Sequence, residues 1–361
     1  MLYHMYSCRY YRIYDIGREI NLERLEKSLA EALAANYSLG RASFQRVQPK
    51  SIMMEEPPLM LRMDTVRMNR GDRDFDFWVI AKVYDIGAIS LCFVYENSVS
   101  PVSDLEDTAI LFFGQDGMAG IFQQYLTTIG DILRPHQKDM TIDFEFFEDY
   151  TIYVMDGIDH SIDPVTLMTG ERCNISPQMR EEITRNSLSY RTDDLAILSW
   201  DSALLCEPEN PADIIDLIEF ANVQVLELRY YDRELTRQME KMYDDIDLAD
   251  KLPGFRRSRQ YHAIMAGQMR TSAEISEIIE KVNNLIKVTE DVYYARVYDM
   301  VLKVSRSRQW SDSVSRKIEV IQETYSMLSD EVRIQHSNNL EWVIIVLIAL
   351  EFVFAIWQTI R

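Results

Sequence analysis

The stretch DFDFWVIAKVYDIGAISLCFVYE, residues 74–96, contains the strongest strand signals in the chain. Two runs rich in Val, Ile, Phe and Tyr lie on either side of Gly87. The Asp and Gly between them favour a turn, because both residue types tolerate unusual backbone angles. The stretch therefore predicts a β-hairpin, and with it a sheet in the N-terminal half of the chain.

The segments around this hairpin predict an α+β head domain over residues 1–207 with mostly antiparallel strands. CRYYRIYDIG, residues 8–17, predicts a strand that ends at Gly17. Leu22, Leu25, Leu29 and Leu33 form one stripe, which predicts an amphipathic helix. Further strands are predicted at residues 42–48, 57–63 and 144–157, and residues 195–206 predict two strands joined by a turn. Further helices are predicted at residues 103–133 and 177–187.

From Pro208 onward the chain shows helical periodicity, which predicts a stalk of long helices over residues 208–338. One helix ends near the Leu-Pro-Gly-Phe break at 252–255, and a second is predicted over 272–304. A third carries apolar residues in steps of four and three, as in a coiled coil: Val314, Ile318, Ile321, Tyr325, Leu328 and Val332. This stripe fits either a helical hairpin that packs on itself or self-association of the chain.

The last stretch, LEWVIIVLIALEFVFAIWQTIR, predicts a transmembrane tail anchor over residues 339–361. Its 21 residues from 340 to 360 span about 31 Å at helical rise, close to the bilayer core. Trp342 and Trp357 bracket the run at the expected interfaces, with Glu341 beside the first. Glu351 falls near the bilayer centre, where a carboxylate needs a partner, so we expect packing against another copy of the helix. The prediction is a single-pass membrane protein with most of the chain cytoplasmic.

Composition narrows the function classes. The chain has 361 residues, enough for two domains, and a formal net charge of −20. This charge argues against a general nucleic-acid binder, so no DNA partner is expected. The four cysteines are far apart and are expected to be reduced. The N-terminus resembles neither a secretory signal nor a transit peptide, which suggests a bacterial protein that is not imported.

No catalytic, cofactor or metal motif is found, so no catalytic residue, cofactor or metal ligand is predicted. An acidic loop contains Asp149, Asp156, Asp159 and Asp163, which we interpret as solvated surface rather than a cation site. A basic patch consists of Arg256, Arg257, Arg259 and Arg270. It could bind phosphates or RNA, but we favour ion pairs with the acidic helices of the chain.

Two blocks, residues 195–235 and 315–351, resemble the YagE-like family, which includes the mitochondrial "required for meiotic nuclear division" proteins. FANVQVLELRYYD (residues 220–232) and the LEW-plus-apolar ending are the most specific parts; residues 114–192 show no match. The resemblance implies a membrane-bound homo-oligomer that supports translation, by tethering or stabilising ribosomes. It brings no catalytic residues.

The leading hypothesis is a tail-anchored, self-associating membrane protein whose head binds and positions a partner; whether it is also an enzyme is left open, with a binding role favoured. The candidate interaction network in the family-like helix is Asn222, Glu227, Arg229, Tyr230 and Asp232. The alternative is an enzyme without a known motif. Its candidate residues come from the repeated YDIG turns, if these converge: Tyr14, Asp15, Tyr84 and Asp85. An ion-transport-associated oligomer ranks last.

Overall fold

A computed structural model of the chain describes residues 5–17, 20–35, 43–46, 52, 56–97, 103–135, 140–253, 256–267 and 291–360. The chain divides into two compact units. The sheet unit comprises Met1–Tyr230 and Val282–Trp310, and the helical unit comprises Tyr231–Lys281 and Ser311–Arg361. The domain boundaries predicted at 207 and 338 stay predictions.

Nine strands of the described residues form one sheet, in the order β2-β3-β4-β5-β1-β6-β9-β8-β7. Neighbouring strands are antiparallel except for β6 and β9. The strands are β1 (Tyr6–Asp15), β2 (Ser43–Arg46), β3 (Leu59–Arg70), β4 (Arg73–Val83), β5 (Ala88–Asn97), β6 (Phe147–Met155), β7 (Ser187–Leu188), β8 (Leu195–Leu198) and β9 (Ser202–Cys206).

The helices follow the predicted division, with short helices between strands and long helices after the sheet. They are α1 (Leu22–Ala35), α2 (Ser103–Leu111), α3 (Ala119–Leu133), α4 (Pro164–Thr169), α5 (Pro177–Thr184), α6 (Ala212–Asp250), α7 (residues 256–267), α8 (Val292–Val304) and α9 (Ser307–Ile360). The predicted α+β class, with an N-terminal sheet and C-terminal helices, is confirmed. Residues 268–290, which hold most of one predicted helix, lie outside the described residues.

Strand β1 is in the middle of the sheet and is covered on both faces. Successive side chains of a strand point to opposite faces. Accordingly, Tyr10 belongs to one hydrophobic core and Tyr11 to the other. Because both faces of the strand are buried, helices must cover both sides of the sheet.

The first face of the sheet packs against helices α1 to α4 around a cluster of aromatic rings. Phe75 and Phe112 meet edge to face with ring centroids 4.9 Å apart, and Phe93 and Phe122 do so at 4.7 Å. Phe77 is fully buried in the same cluster. Such pairs add stability beyond the burial of their apolar area.

The second face packs against the beginning of α6 and against α8. Leu217, Ile218 and Ala221 of α6 are fully buried on this face, and so are Val297 and Val301 of α8. Their spacing is that of one helical stripe in each helix. Helix α6 therefore lies over the strands in the middle of the sheet.

The helix predicted over residues 103–133 is broken between α2 and α3. Gly114, Gln115 and Gly117 have positive φ angles of 58°, 55° and 77°, which a helix cannot contain. The buried Gln115 amide donates a hydrogen bond to the carbonyl of Tyr11 (2.8 Å), and its oxygen accepts one from Arg12 (2.9 Å). The break thus serves to place one polar side chain against the central strand.

The helical unit has its own small core. It is formed by residues of α6, α7 and α9: Met242, Ala249, Tyr261, Ile264, Met265 and Leu328. Val314, Ile318 and Ile321 of the predicted coiled-coil stripe are also buried within the chain. Self-association through this stripe stays a prediction.

The predicted transmembrane anchor at residues 339–361 is wrong. In the part of the chain that the structure describes, no helix has both the length and the apolar character of a membrane span. In this segment the side chains are described from Glu341 to Glu351, and the nine apolar residues between these two glutamates, all exposed, cover about 13 Å at helical rise. A bilayer core is about 30 Å thick. The predicted single-pass localisation and lipid partner are therefore wrong as well.

Replacement of Phe77 by Ala should destabilise the sheet unit by about 3 to 5 kcal/mol, because the variant loses a fully buried ring and leaves a cavity among the neighbouring aromatic rings. Chemical denaturation, followed by circular dichroism, measures the free energy of unfolding.

The next residue on the same strand provides the control. The Trp78 side chain points to the opposite face and is 57% exposed, so Trp78→Ala should change the free energy of unfolding far less. Equal losses in the two variants would contradict the described alternation of β4.

Candidate functional site

Lys82 is a buried cation near the end of β4, where it interrupts the apolar run that follows Asp76. Its side chain is 11% exposed. The Nζ atom donates hydrogen bonds to Asp216 Oδ1 and to Glu219 Oε2, each at 2.7 Å. We call these three residues the Lys82 triad. Buried charges occur in proteins when they are paired and hydrogen-bonded in this way.

Both carboxylates of the triad come from the first turns of α6. Residues three positions apart share one face of a helix, so Asp216 and Glu219 both reach the sheet. On the sheet side, Lys82 pairs with Met60 of β3, which pairs with Gln45 of β2. These three side chains therefore form one row across three strands.

A cavity of about 250 Å³ lies next to the triad, between the strands and α6. A second row of side chains forms the rest of the cavity floor. Each member of this row pairs with the next on the neighbouring strand, from β3 through β4 and β5 to β1: Arg62, Ile80, Cys92 and Tyr11. Arg9 lines the same cavity two residues before Tyr11, and Ala212 and Ile215 line it from α6.

The charges of the triad stabilise one another. Burial by itself lowers the pKa of Lys82, but the carboxylates of Glu219 and Asp216 outweigh it and raise that pKa above its ordinary value. The amine is therefore an ammonium ion at neutral pH.

The other reactive groups near the cavity are held in their neutral forms. Burial raises the pKa of the Cys92 thiol to about 12. Burial also raises the pKa of the Tyr11 and Tyr84 hydroxyls well above their usual range, and Glu219 adds to the effect in both cases. At neutral pH the site therefore offers a thiol and two phenols rather than their anions.

The two YDIG turns lie side by side, but their tyrosines do not meet. Asp15 pairs with Ala88 in the sheet, and the Ile16 amide donates to the Gly87 carbonyl at 2.8 Å. Tyr14 belongs to the first core and Tyr84 to the second. The sheet separates the two rings, so the four residues proposed for the enzyme alternative do not share a pocket.

The five residues of the predicted interaction network do not form one cluster, because their side chains have different partners. Glu227 is fully buried, and buried Asn222 donates to the Ile218 carbonyl at 2.8 Å. Arg229 forms an ion pair with Glu148.

The remaining network residues have other partners. Tyr230 has its ring 6.3 Å from Phe146. Asp232 belongs to the helical unit and accepts hydrogen bonds from Ser313 (2.6 Å) and Lys317 (2.5 Å). An interaction role for these five residues stays a prediction.

In the basic patch and in the acidic loop, some of the described side chains have partners within the chain and others are exposed. Arg257 lies 3.8 Å from Glu331, while Arg256 and Arg259 are exposed and Arg270 lies outside the described residues. In the acidic loop, Asp163 caps α4 through the Val165 amide (3.1 Å). Among the described residues, no group of His, Cys, Asp and Glu side chains is arranged to hold a metal ion.

Of the residues predicted to set the packing of the C-terminal helix, three are described with their side chains. Glu341, Trp342 and Glu351 are exposed on α9. The side chain of Trp357 lies outside the described residues. A packing role for these residues stays a prediction.

With the geometry established, comparison with known proteins identifies the family. Residues 5–213 match the family described as "Uncharacterized protein MJ0711, N-terminal domain". The chain belongs to this family. The uncharacterized protein MJ0711 of Methanocaldococcus jannaschii is 25% identical over 224 residues, which cover 59% of this chain and 67% of that protein. No solved structure matches the chain.

The family match includes the strands of the cavity floor and ends at the beginning of α6, before Asp216 and Glu219. Sequence analysis missed the Lys82 triad. A signal was present: Lys82 interrupts the apolar run WVIAKVY, and Asp216 and Glu219 interrupt the apolar stripe of α6. Charged residues at such positions indicate buried pairs, but their partners are far apart in sequence.

Replacement of Lys82 by Met should destabilise the sheet unit by about 3 kcal/mol or more, because it leaves two carboxylates without their cation. The triple variant Lys82→Met, Asp216→Asn, Glu219→Gln should recover at least half of this loss. Urea denaturation measures both. Lys27→Met, which removes an exposed pair with Glu23, provides the control and should have no measurable effect. Failure of the triple variant to recover any stability would contradict the pairing.

The stability difference between the wild type and Lys82→Met should also depend on pH. Since the pKa of Lys82 is raised in the folded state, its contribution is fully present below the unfolded pKa of about 10.4 and is lost as the pH rises through the folded-state pKa. We expect a constant difference between about pH 6 and 9 and a smaller one above pH 10.4. Urea denaturation at several pH values measures this difference. A stability difference that already decreases as the pH rises from 6 to 9 would contradict a raised pKa.

Proposed function

We propose that the chain is a binding protein whose sheet unit takes up a small molecule in the cavity beside the Lys82 triad. The observation that carries the proposal is a cavity of about 250 Å³ in which the potentially reactive side chains are held in unreactive forms. It extends the sequence-based hypothesis that the N-terminal part of the chain works by binding.

The protonation states of the cavity residues favour binding over covalent chemistry. A nucleophilic lysine must be a free amine, and a nucleophilic cysteine must be a thiolate. General acids and bases work best when their pKa is near the working pH. Lys82 is instead an ammonium ion, and Cys92 and Tyr11 remain protonated. These groups can donate hydrogen bonds and line a pocket.

The walls of the cavity have the character of a ligand site. Met60, Ile80 and Ile215 supply apolar surface, and a few charged side chains are placed among them. Small-molecule sites commonly combine apolar walls with a few polar groups that fix the orientation of the ligand. Since such sites usually enclose about 300 to 1,000 Å³, the ligand should be small.

The resemblance to the YagE-like family extends the proposal. By that resemblance, the sheet unit would position a partner, with a link to translation or to ribosome tethering. This extension is supported by the sequence resemblance, which is most specific in residues 220–232 and in the LEW-plus-apolar ending.

Binding can be tested in the full-length chain labelled with ¹³C at the methionine methyl groups. Met60 lines the cavity and is 6% exposed, so its methyl resonance reports on occupancy. We use two small aromatic probes, benzamide and benzoate. At least one of them should shift the Met60 resonance saturably at millimolar concentration and leave that of the exposed Met179 unchanged.

A blocking variant locates the binding. Ala212 is exposed and lines the cavity from α6, so Ala212→Trp should obstruct entry without loss of core packing, and Ala212→Ser should not. Loss of the Met60 response in the Trp variant alone supports the proposal. If neither probe shifts Met60 in the wild type, the cavity is not a binding site.

The inert state of Cys92 gives a separate test. At pH 8 iodoacetamide should modify the exposed Cys173 and leave Cys92 unmodified, because Cys92 is buried and its pKa is about 12. Mass spectrometry of tryptic peptides measures both. Modification of Cys92 as fast as that of Cys173 would indicate an accessible thiolate and argue for a reactive site.

A further inference from the structure

Arg9 brings an unused hydrogen-bond donor to the cavity. It lines the cavity from β1, and its Nε atom is buried without an acceptor among the described residues. Buried polar groups in folded proteins nearly always have a partner, so a donor without one at the wall of a cavity can serve a bound molecule. A guanidinium donor of this kind suits an acceptor with two oxygens, because its N–H groups form a fixed fork.

The nearby acidic groups are either engaged or outside the cavity. Asp216 and Glu219 line it, but each accepts a hydrogen bond from Lys82 at 2.7 Å. Burial lowers the pKa of Arg9, but Tyr11 and Cys92, with a smaller contribution from Glu96, raise it above its ordinary value. Glu96 is exposed on β5 and does not line the cavity. The Arg9 guanidinium also donates a hydrogen bond to the Tyr11 hydroxyl, so the Nε atom, which has no acceptor among the described residues, is the donor available to a ligand.

The charge of the lining favours a monoanion. Arg9, Arg62 and Lys82 are cationic, and Asp216 and Glu219 are anionic, which leaves one net positive charge. A carboxylate neutralises this charge. A phosphate dianion would introduce a second negative charge close to the two carboxylates of the triad, where like charges repel.

We propose that the cavity binds a small monocarboxylate whose carboxylate group accepts hydrogen bonds from the Arg9 guanidinium and whose apolar body packs on Met60, Ile80 and Ile215. This inference rests on the proposed function, because it names the ligand class for the same cavity. Arg62, exposed at the cavity lining, adds electrostatic attraction.

The methionine methyl experiment also tests the ligand class. Benzoate and benzamide have nearly the same shape and differ in charge. Titrations monitored at Met60 should give a dissociation constant at least tenfold lower for benzoate, and inorganic phosphate should not displace it. In Arg9→Met the preference for benzoate should fall to within about twofold of benzamide, as expected when a charge-assisted hydrogen bond is lost.

Arg67→Met is the matched control. Arg67 is exposed on β3, pairs with Asp76 at 2.6 Å and does not line the cavity, so the benzoate preference should be unchanged. The wild-type ratio of the two dissociation constants needs no variant, so it remains decisive if Arg9→Met does not fold.

The outcomes separate the two proposals. Equal affinity for benzoate and benzamide overturns the carboxylate inference and leaves the binding cavity in place. The same holds if Arg9→Met keeps the full preference for benzoate, or if phosphate displaces it. Absence of any Met60 response to either probe overturns the proposed function itself.

Discussion

The central position of β1, with both of its faces buried, is the constraint on which the sheet unit depends. Four strands lie on each side of it in the sheet, and its alternating tyrosines enter two separate cores. A strand in this position needs helices on both sides. The helices between the strands cover one face, and α6 and α8 cover the other. Gln115 adds a polar contact from the helix break to the same strand.

The Lys82 triad follows from this layering. A cation on the second face of the sheet is buried as soon as α6 lies on it, so the helix must supply carboxylates at the contact. Asp216 and Glu219 do so, each through a hydrogen bond from Lys82 at 2.7 Å, and both line the cavity. The cavity therefore lies where a charged contact replaces part of a hydrophobic one. Lys82 is paired with both carboxylates, whereas the Arg9 Nε atom is buried without an acceptor among the described residues.

Much of the secondary structure was predictable, because it depends on local patterns. The two runs rich in Val, Ile, Phe and Tyr on either side of Gly87 predicted the β4–β5 hairpin, and the stripe from Leu22 to Leu33 predicted α1. The break between α2 and α3 was missed although Gly114 and Gly117, which have two of its positive φ angles, are a local signal; only the contact of Gln115 with β1 is long-range. The membrane anchor was predicted from the apolar character of the last 22 residues, but no helix of the described residues has both the length and the apolar character of a membrane span.

By itself, the sequence determined the α+β class, the order of most elements and the change to long helices after Pro208. These follow from periodicity and turn residues, which act over a few positions along the chain. The tertiary structure alone decided which charges meet: Lys82 lies 134 and 137 residues from its partners. It also separated Tyr14 from Tyr84, although their turns are adjacent. The register of the strands and the packing of α6 on the sheet determine which of these side chains meet. Neither can be predicted from a local sequence pattern.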